Sequence, residues 1–169
     1  MSLLAGFRVL QVGGGPAAAV CGRLLADVGA EVICLEPDNS TTLLQYLNRG
    51  KALAAAANAD LIVREGPCDL AELRRLNPSA AVVTISPFGE TGPQASDPAT
   101  DLTLFCASGI ARQLTGQVDD LEEPPIRPVG EQSAFIGGLA AACAGMHAAL
   151  GNNPGASIDV SIHEALATL

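Results

Sequence analysis

Aromatic side chains are almost absent from this chain. Its 169 residues include one Tyr, four Phe and no Trp, although 49% of the residues are apolar. The core must therefore be built from Ala, Leu, Val and Ile, and side chains of this size suit close packing of helices on a sheet. The length is sufficient for one domain with a real hydrophobic core.

Basic residues are also scarce. Nine Lys and Arg stand against eighteen Asp and Glu, so the formal net charge is −9 at pH 7. Because nucleic acids and anionic membranes attract positive surfaces, this balance argues against both as partners. The sequence shows no charged and then apolar leader with a cleavage site, and its longest apolar stretch, Phe135–Leu150, is short for a bilayer and predicts a buried helix. We expect a cytoplasmic protein.

Patterns that bind metals or activate nucleophiles are missing as well. The five cysteines are scattered, with no CxxC pair and no Cys/His cluster, so no metal site is expected. We interpret them as reduced thiols that serve as small core residues. Only two histidines occur, His147 and His163, and no G-x-S-x-G motif is present, which disfavours a hydrolase-type triad.

Strand and helix patterns alternate along the chain. Short apolar runs with β-branched residues predict strands at 7–12, 31–35, 61–63, 81–85 and 156–161. Apolar residues at helical spacing predict helices at 17–28, 41–48, 52–59, 68–76, 101–110, 132–150 and 162–169. This alternation predicts an α/β fold, a Rossmann-like parallel sheet with helices on both faces, in a single domain over residues 1–169.

A glycine-rich turn joins the first predicted strand to the first predicted helix. Gly13, Gly14 and Gly15, with the residues that follow, satisfy a GxGxxA fingerprint, and Glu36 ends the second strand near the spacing of a ribose-binding acid. Taken alone, this pattern favours a dinucleotide at the helix N-terminus. A tight strand-to-helix turn also explains the glycines, and Pro16 removes a backbone N–H that could face phosphate.

The segment Ser86–Pro93, here called the octapeptide, follows the predicted strand 81–85. Its two glycines and two prolines in eight residues fix an unusual backbone path. A loop at the carboxyl end of a buried parallel strand is where open α/β sheets place their ligands. The octapeptide is therefore predicted to lie at a ligand site.

Two carboxylates stand at predicted helix starts. Asp101 begins the helix after the octapeptide, and Glu131 directly precedes the long helix 132–150. Capping explains both, because a helix N-terminus stabilises negative charge. A role as nucleophile or as acid/base catalyst is the alternative, and the spacing does not decide between them.

Segments along nearly the whole chain resemble the class III CoA-transferases, which include formyl-CoA transferase, carnitine CoA-transferase and α-methylacyl-CoA racemase. The specific matches are the octapeptide and Asn48–Lys51, and weaker ones cover 4–10, 24–32, 135–139 and 158–165. The resemblance implies a Rossmann-like large domain that binds acyl-CoA. In the family a small domain and a closing C-terminal segment follow; we expect both to be absent here. It also implies a homodimer, or assembly with a second module of the same type.

The resemblance suggests where coenzyme A or an acyl-CoA would bind. We expect contacts from the glycine turn Gly13–Gly15, from the loop of Glu36 and Asp38, and from Arg49 or Lys51 for the phosphates. An ordinary solvated turn is the alternative for Arg49 and Lys51. No tightly bound cofactor and no metal are expected.

The chain departs from the family at the positions that react. Where the transferases have an aspartate nucleophile before Gly-Gly, this chain has Ala134, and a methyl group can be neither nucleophile nor base. The racemase histidine is replaced by Thr100, and the family's Asn-Phe, which lies against CoA, reads Glu65-Gly66. No catalytic residue is therefore assigned. An enzyme acting on acyl-CoA and a non-catalytic structural or CoA-binding module of a tandem CoA-transferase both stay open.

Overall fold

Six parallel strands form one sheet in the computed structural model, which describes residues 2–35, 37–54, 58–115, 120, 122–124, 126–151 and 153–169. The strands are β1 (Arg8–Val12), β2 (Glu31–Leu35), β3 (Ala52–Leu53), β4 (Leu61–Glu65), β5 (Ala81–Ser86) and β6 (Ser157–Ser161). The helices are α1 (Pro16–Asp27), α2 (Thr42–Asn48), α3 (Leu70–Leu76), α4 (Asp101–Ala107), α5 (Ala111–Thr115), α6 (Gln132–Leu150) and α7 (Ile162–Ala167). The order across the sheet is β3-β2-β1-β4-β5-β6, which confirms the predicted α/β fold.

Successive residues of the central strands face two separate cores. Side chains of a strand alternate between the faces of its sheet. Leu61 and Val63 of β4 pack with α1 and α6, whereas Ile62 between them packs with α3 on the opposite face. All three are fully buried, so β4 is covered on both sides, as expected for a central parallel strand.

The long helix α6 lies close to α1 because its inner face consists of glycine and alanine. A Cβ atom placed on Gly138 would lie 2.6 Å from the carbonyl oxygen of Ala17 and 2.7 Å from Cβ of Val20. One placed on Gly145 would lie 2.9 Å from Cδ2 of Leu61 on the sheet. In this core, close approach of the α6 backbone to α1 and to the sheet thus fills the space that large aromatic side chains would otherwise fill.

Among the described residues, α6 is the helix whose length and apolar composition alone would allow it to cross a membrane. Its small-residue face is buried against α1 and the sheet, as in the core helix of a globular domain. The prediction of a buried helix therefore holds for this inner face. The outer face is more open, with Phe135 42% and Leu139 50% exposed.

The prediction of a helix over 52–59 is wrong at its start. Ala52 and Leu53 form the edge strand β3, and they pair in parallel with Ile33 and Cys34 of β2. Alanine favours helices only weakly, and tertiary pairing commonly overrides such a preference. Residues 55–57 lie outside the described part of the chain.

Capping groups and glycine set two of the helix boundaries that differ from those predicted. Asp69 accepts a hydrogen bond from the backbone N–H of Glu72, so α3 begins at Leu70. The helix predicted over 101–110 ends at Ala107, and Gly109, whose φ is +84°, separates α4 from α5. A left-handed glycine of this kind commonly terminates a helix.

Candidate functional site

A cleft opens at the carboxyl ends of β1, β4 and β5. Its volume is about 660 Å³, and it is lined by Gly13, Gly14, Gly15, Arg64, Glu65, Gly66, Pro67, Ile85, Ser86 and Pro87. β1 and β4 are neighbours from which the chain proceeds to opposite halves of the sheet. Such a switch point is where open α/β sheets bind ligands. The cleft is therefore the candidate functional site.

The three glycines of the turn after β1 are required by close neighbours in the protein itself. Gly13 has a φ of +90°, and a Cβ atom on it would lie 2.0 Å from the carbonyl oxygen of Glu65. A Cβ on Gly15 would lie 2.0 Å from the carboxyl carbon of Glu65, and one on Gly14 would lie 2.7 Å from Cβ of Asp38. Contact with the end of β4 and with the loop after β2 thus explains the GxGxxA pattern without a ligand.

Glu65 places its carboxylate at the N-terminus of α1. The backbone N–H of Ala18 donates to Oε2 of Glu65 at 2.6 Å. Burial raises the pKa of Glu65 to about 7, although the backbone hydrogen bonds from Ala18 and Ala17 act in the opposite direction. The side chain therefore occupies the position where the fingerprint would hold a phosphate.

Two polar atoms in the cleft have no hydrogen-bond partner among the described residues. The guanidinium of Arg64 is ion-paired through one nitrogen with Glu90 of the octapeptide, while its Nε is buried and unpaired. The hydroxyl of Ser86 is also buried and unpaired. Because buried polar groups are normally hydrogen-bonded, these two are candidate contacts for a ligand.

The octapeptide is held by β6 and α7. Its glycines 89 and 92 have φ values of +87° and +106°. The N–H of Glu90 donates to Oδ2 of Asp159 at 2.8 Å, and the N–H of His163 donates to the carbonyl of Pro87 at 2.9 Å. The octapeptide follows β5 as predicted, and its first two residues, Ser86 and Pro87, line the cleft.

The residues expected to contact CoA fall into two groups. Gly13, Gly14 and Gly15 line the cleft, whereas Arg49 and Lys51 line a separate depression of about 430 Å³ beside α2 and β3. Asp38 lies next to Gly14, and its carboxylate accepts hydrogen bonds from the N–H and hydroxyl of Ser40. Glu36 lies outside the described residues. A contact between any of these residues and CoA stays a prediction.

Lys51 directs its ammonium group inward. Nζ donates to Oε1 of Gln11 at 2.7 Å, to the carbonyl of Ala19 at 2.8 Å and to Oδ1 of Asn48 at 3.2 Å. Burial lowers the pKa of Lys51 to about 8. With three internal acceptors, this ammonium joins β1, α1 and α2, while the neighbouring Arg49 is exposed.

We expect Lys51→Met to lower the free energy of unfolding by about 1–3 kcal/mol, because it leaves buried acceptors, that of Gln11 above all, without their charged donor. Arg49→Met is the matched control two residues away, and it should change stability by less than about 0.5 kcal/mol. Urea unfolding of both variants at pH 7 measures the difference. Equal effects of the two substitutions would contradict the structural role of Lys51.

Ala134 lies in the first turn of α6 and is buried. Beside it, the N–H of Ser133 donates to Oδ1 of Asp101 at 2.8 Å, and the Ser133 hydroxyl donates to the same oxygen. Asp101 therefore caps α6 from across the fold, while its own helix α4 is capped by Thr100. Ala134 supplies only a methyl group at the position that the resemblance associates with a nucleophile.

The capping interpretation is wrong for Glu131. This residue is the N-cap of α6, yet its side chain makes no capping hydrogen bond. It pairs instead with Arg127 at 3.4 Å. Thr100, at the position of the racemase histidine, forms a reciprocal capping box with Thr103. These residues thus have local structural roles.

All five cysteines are free. Cys21 and Cys34 are buried and match the interpretation as core residues, whereas Cys106 and Cys143 are exposed and do not. Burial raises the pKa of Cys21 to about 12, which disfavours its thiolate form. Within the described ranges, no group of three or more His, Cys, Asp or Glu side chains could hold a metal ion.

Arg64 was missed by the sequence reasoning, and Glu65 was noticed only as a departure from the family. The strand predicted over 61–63 ended too early, and β4 extends to Glu65. With the correct boundary, both residues stand at the carboxyl end of a strand, where ligand contacts are expected. A correct prediction of where β4 ends would therefore have identified Arg64 and Glu65 as candidate site residues.

Comparison with known proteins identifies relatives that act on CoA thioesters. The chain is 28% identical to succinyl-CoA–D-citramalate CoA-transferase of Chloroflexus aurantiacus, over 96% of this chain and 50% of that protein. It is 30% identical to acetyl-CoA:oxalate CoA-transferase of Acetobacter aceti, over 83% of this chain and 46% of that protein. The chain thus spans about half the length of these curated relatives.

Solved structures share the fold. A CaiB/BaiF family protein from Brucella suis superposes with a TM-score of 0.81 at 20% identity, covering 99% of this chain and 55% of that chain. The Mycobacterium tuberculosis protein Rv3272 gives a TM-score of 0.78 at 23% identity with the same coverage. The family model for CoA-transferase family III matches residues 4–59 and 64–169. The chain therefore belongs to CoA-transferase family III.

Proposed function

We propose that this chain supplies an acyl-CoA-binding portion of a CoA-transferase III protein. The cleft at the switch point between β1 and β4 carries the proposal, because it is open, lies where the fold binds ligands and contains unpaired polar groups. The names of the curated relatives supply the ligand class, since both transferases act on a CoA thioester. The small domain and closing C-terminal segment of the family would complete the protein.

The proposed role in binding rests on Arg64 and Ser86. Both line the cleft, and each offers a buried N–H or O–H group that makes no hydrogen bond within the described structure. Donors of this kind suit the carbonyl oxygens along the chain of an acyl-CoA. Satisfying them on binding would remove the cost of leaving them unpaired.

We further propose that this portion binds acyl-CoA without catalysing its transfer. Covalent transfer to a carboxylate requires a nucleophile, and Ala134 offers none at the family position. Asp101, the nearby carboxylate, is 7% exposed and accepts both hydrogen bonds of Ser133. Its Oδ1 caps α6, whereas its Oδ2 is buried and has no hydrogen-bond partner among the described residues. The cap explains the position of Asp101, and we assign it no reactive role.

Calorimetric titration with acetyl-CoA tests the binding proposal. We expect saturable binding by the wild-type chain and at least a tenfold loss in Ser86→Ala, which removes an unpaired hydroxyl of the cleft without adding bulk. Ser79→Ala is the matched control, because Ser79 is exposed near the opposite end of β5. Absence of binding by the folded wild-type chain, or equal loss in the two variants, would contradict the proposal.

An assay of CoA exchange tests the absence of catalysis. The chain is incubated with succinyl-CoA and a carboxylic acid acceptor, and the new thioester is followed by chromatography. We expect no transfer by the wild-type chain. Turnover above the rate without protein would show that the chain is an enzyme in its own right despite Ala134, and would contradict the proposal.

We also propose a cytoplasmic location and assembly as a homodimer or with a second module of the same type. The partly exposed Phe135 and Leu139 on the outer face of α6 support an assembly, because apolar side chains in a row commonly mark an interface. Light scattering coupled to size exclusion measures the state, and a monomer at high concentration would count against the homodimer.

A further inference from the structure

The groups of the cleft best suited to bind an anion are already occupied by carboxylates of the chain itself. The carboxylate of Glu65 accepts the N–H of Ala18 at the start of α1, and that of Glu90 pairs with Arg64. A twelve-residue helix such as α1 carries partial positive charge at this end. A ligand phosphate would therefore have to displace side chains of the protein itself from these groups.

The turn after β1 is shaped around the Glu65 side chain. A Cβ atom on Gly15 would lie 2.0 Å from its carboxyl carbon, 2.2 Å from Oε2 and 2.4 Å from Oε1. The missing side chain at Gly15 therefore makes room for this carboxyl group. In a dinucleotide site the same glycine would make room for the phosphate.

The charged groups near this position give little help to an incoming phosphate. Arg64 precedes Glu65 on β4, and its guanidinium is paired with Glu90 from the octapeptide. Asp38 comes from the loop after β2 and lies against Gly14. The guanidinium of Arg64 is thus already paired with Glu90, and Glu65 and Asp38 add two further carboxyl groups beside the glycine turn. A phosphate in this partly buried setting would therefore meet more negative than positive charge.

We propose that Glu65 determines the specificity of the cleft by closing the N-terminus of α1 to ligand phosphate. The cleft then accepts the uncharged pantetheine and thioester portion of an acyl-CoA, while the diphosphate lies elsewhere, and dinucleotides are rejected. This inference rests on the proposed function for the identity of the ligand. The exclusion itself does not depend on that identity, because it follows from the position and negative charge of Glu65 at the start of α1. Neutralising Glu65 removes the electrostatic part of the exclusion.

Pyrophosphate binding to Glu65→Gln at pH 8 tests the exclusion. Glutamine keeps the shape and removes the charge, so we expect at least a tenfold gain in pyrophosphate affinity over the wild-type chain. Glu72→Gln, which removes an exposed carboxylate of α3 paired with Arg75, is the control and should leave the affinity unchanged. Thermal melts establish that both variants are folded.

Nuclear magnetic resonance shows where the additional pyrophosphate binds. In Glu65→Gln, pyrophosphate should shift the backbone amide resonances of Ala17 and Ala18, whereas in the wild-type chain at pH 8 it should not. The wild-type chain should begin to bind pyrophosphate as the pH falls from 8 to 6, because the Glu65 carboxyl becomes protonated. A folded Glu65→Gln with no gain, or with a gain that leaves these amides unmoved, would overturn the inference.

The outcomes separate this inference from the proposed function. Acetyl-CoA binding that depends on Ser86, without a pyrophosphate gain in Glu65→Gln, would overturn the exclusion and leave the proposed function standing. A gain in pyrophosphate affinity that shifts the amide resonances of Ala17 and Ala18, in a chain that binds no acetyl-CoA, would support the exclusion and contradict the proposed function.

Discussion

Gly138→Val is expected to lower the free energy of unfolding by about 3 kcal/mol or more. A Cβ atom at this position would meet the backbone carbonyl of Ala17 and the side chain of Val20 at distances well below van der Waals contact. Overpacking of a close interface costs about 1–3 kcal/mol, and a backbone neighbour cannot move aside as a flexible side chain can. Separation of α1 from α6 would open the larger of the two cores.

Urea unfolding measures this effect, and the next residue supplies the control. Leu139→Val introduces the same branched side chain one position along α6, where the native side chain is 50% exposed. It should cost less than about 1 kcal/mol, mostly through the lower helix propensity of valine. Equal stabilities of the two variants would show that α1 and α6 are farther apart than described.

The second large effect concerns the pH dependence of stability. The pKa of Glu65 is raised from 4.5 to about 7 in the folded protein, mainly by burial. The native state therefore binds more protons than the unfolded state between these two values, and stability decreases as the pH rises through that interval. At 1.36 kcal/mol for each pH unit, the loss reaches about 3 kcal/mol above pH 7 as an upper bound.

Glu65→Gln lacks this ionisation, so its stability relative to the wild-type chain should increase between pH 4.5 and 7 and then level off. Unfolding free energies of both proteins at half-unit intervals from pH 4 to pH 8.5 measure the difference. Glu72→Gln should give a small dependence of opposite sign, because Arg75 lowers the pKa of the exposed Glu72. A constant difference between Glu65→Gln and the wild-type chain would refute the burial of a titrating carboxyl group.

Most of the fold could be predicted because its strands and long helices carry strong apolar patterns. α6 was predicted with its observed bounds, and β2 likewise. The edge strand β3 was missed because it has only two residues, and it exists through pairing with β2 rather than through a pattern of its own. No periodicity can be read from two residues.

Less of the candidate site could be predicted, because its decisive contacts join distant parts of the chain. Glu65 contacts the N–H of Ala18, 47 residues earlier, and Lys51 contacts Gln11, 40 residues earlier. In the sequence, Gln11 stands out as a polar residue inside an apolar strand, which indicates that it needs a buried partner, but nothing there identifies Lys51 as that partner. The end-of-strand rule pointed to the octapeptide, whose first two residues line the cleft, because that rule depends on strand position alone. That the cleft binds a ligand stays a prediction.

The brevity of β3 has a consequence for how the sheet can grow. A strand edge exposes unpaired backbone groups that can recruit another strand, and a very short edge strand limits this recruitment. In the described part of the chain, one edge is the two-residue β3 and the other is the five-residue β6. A strand that extends this sheet, from the same protein or from another copy, would therefore join at β6.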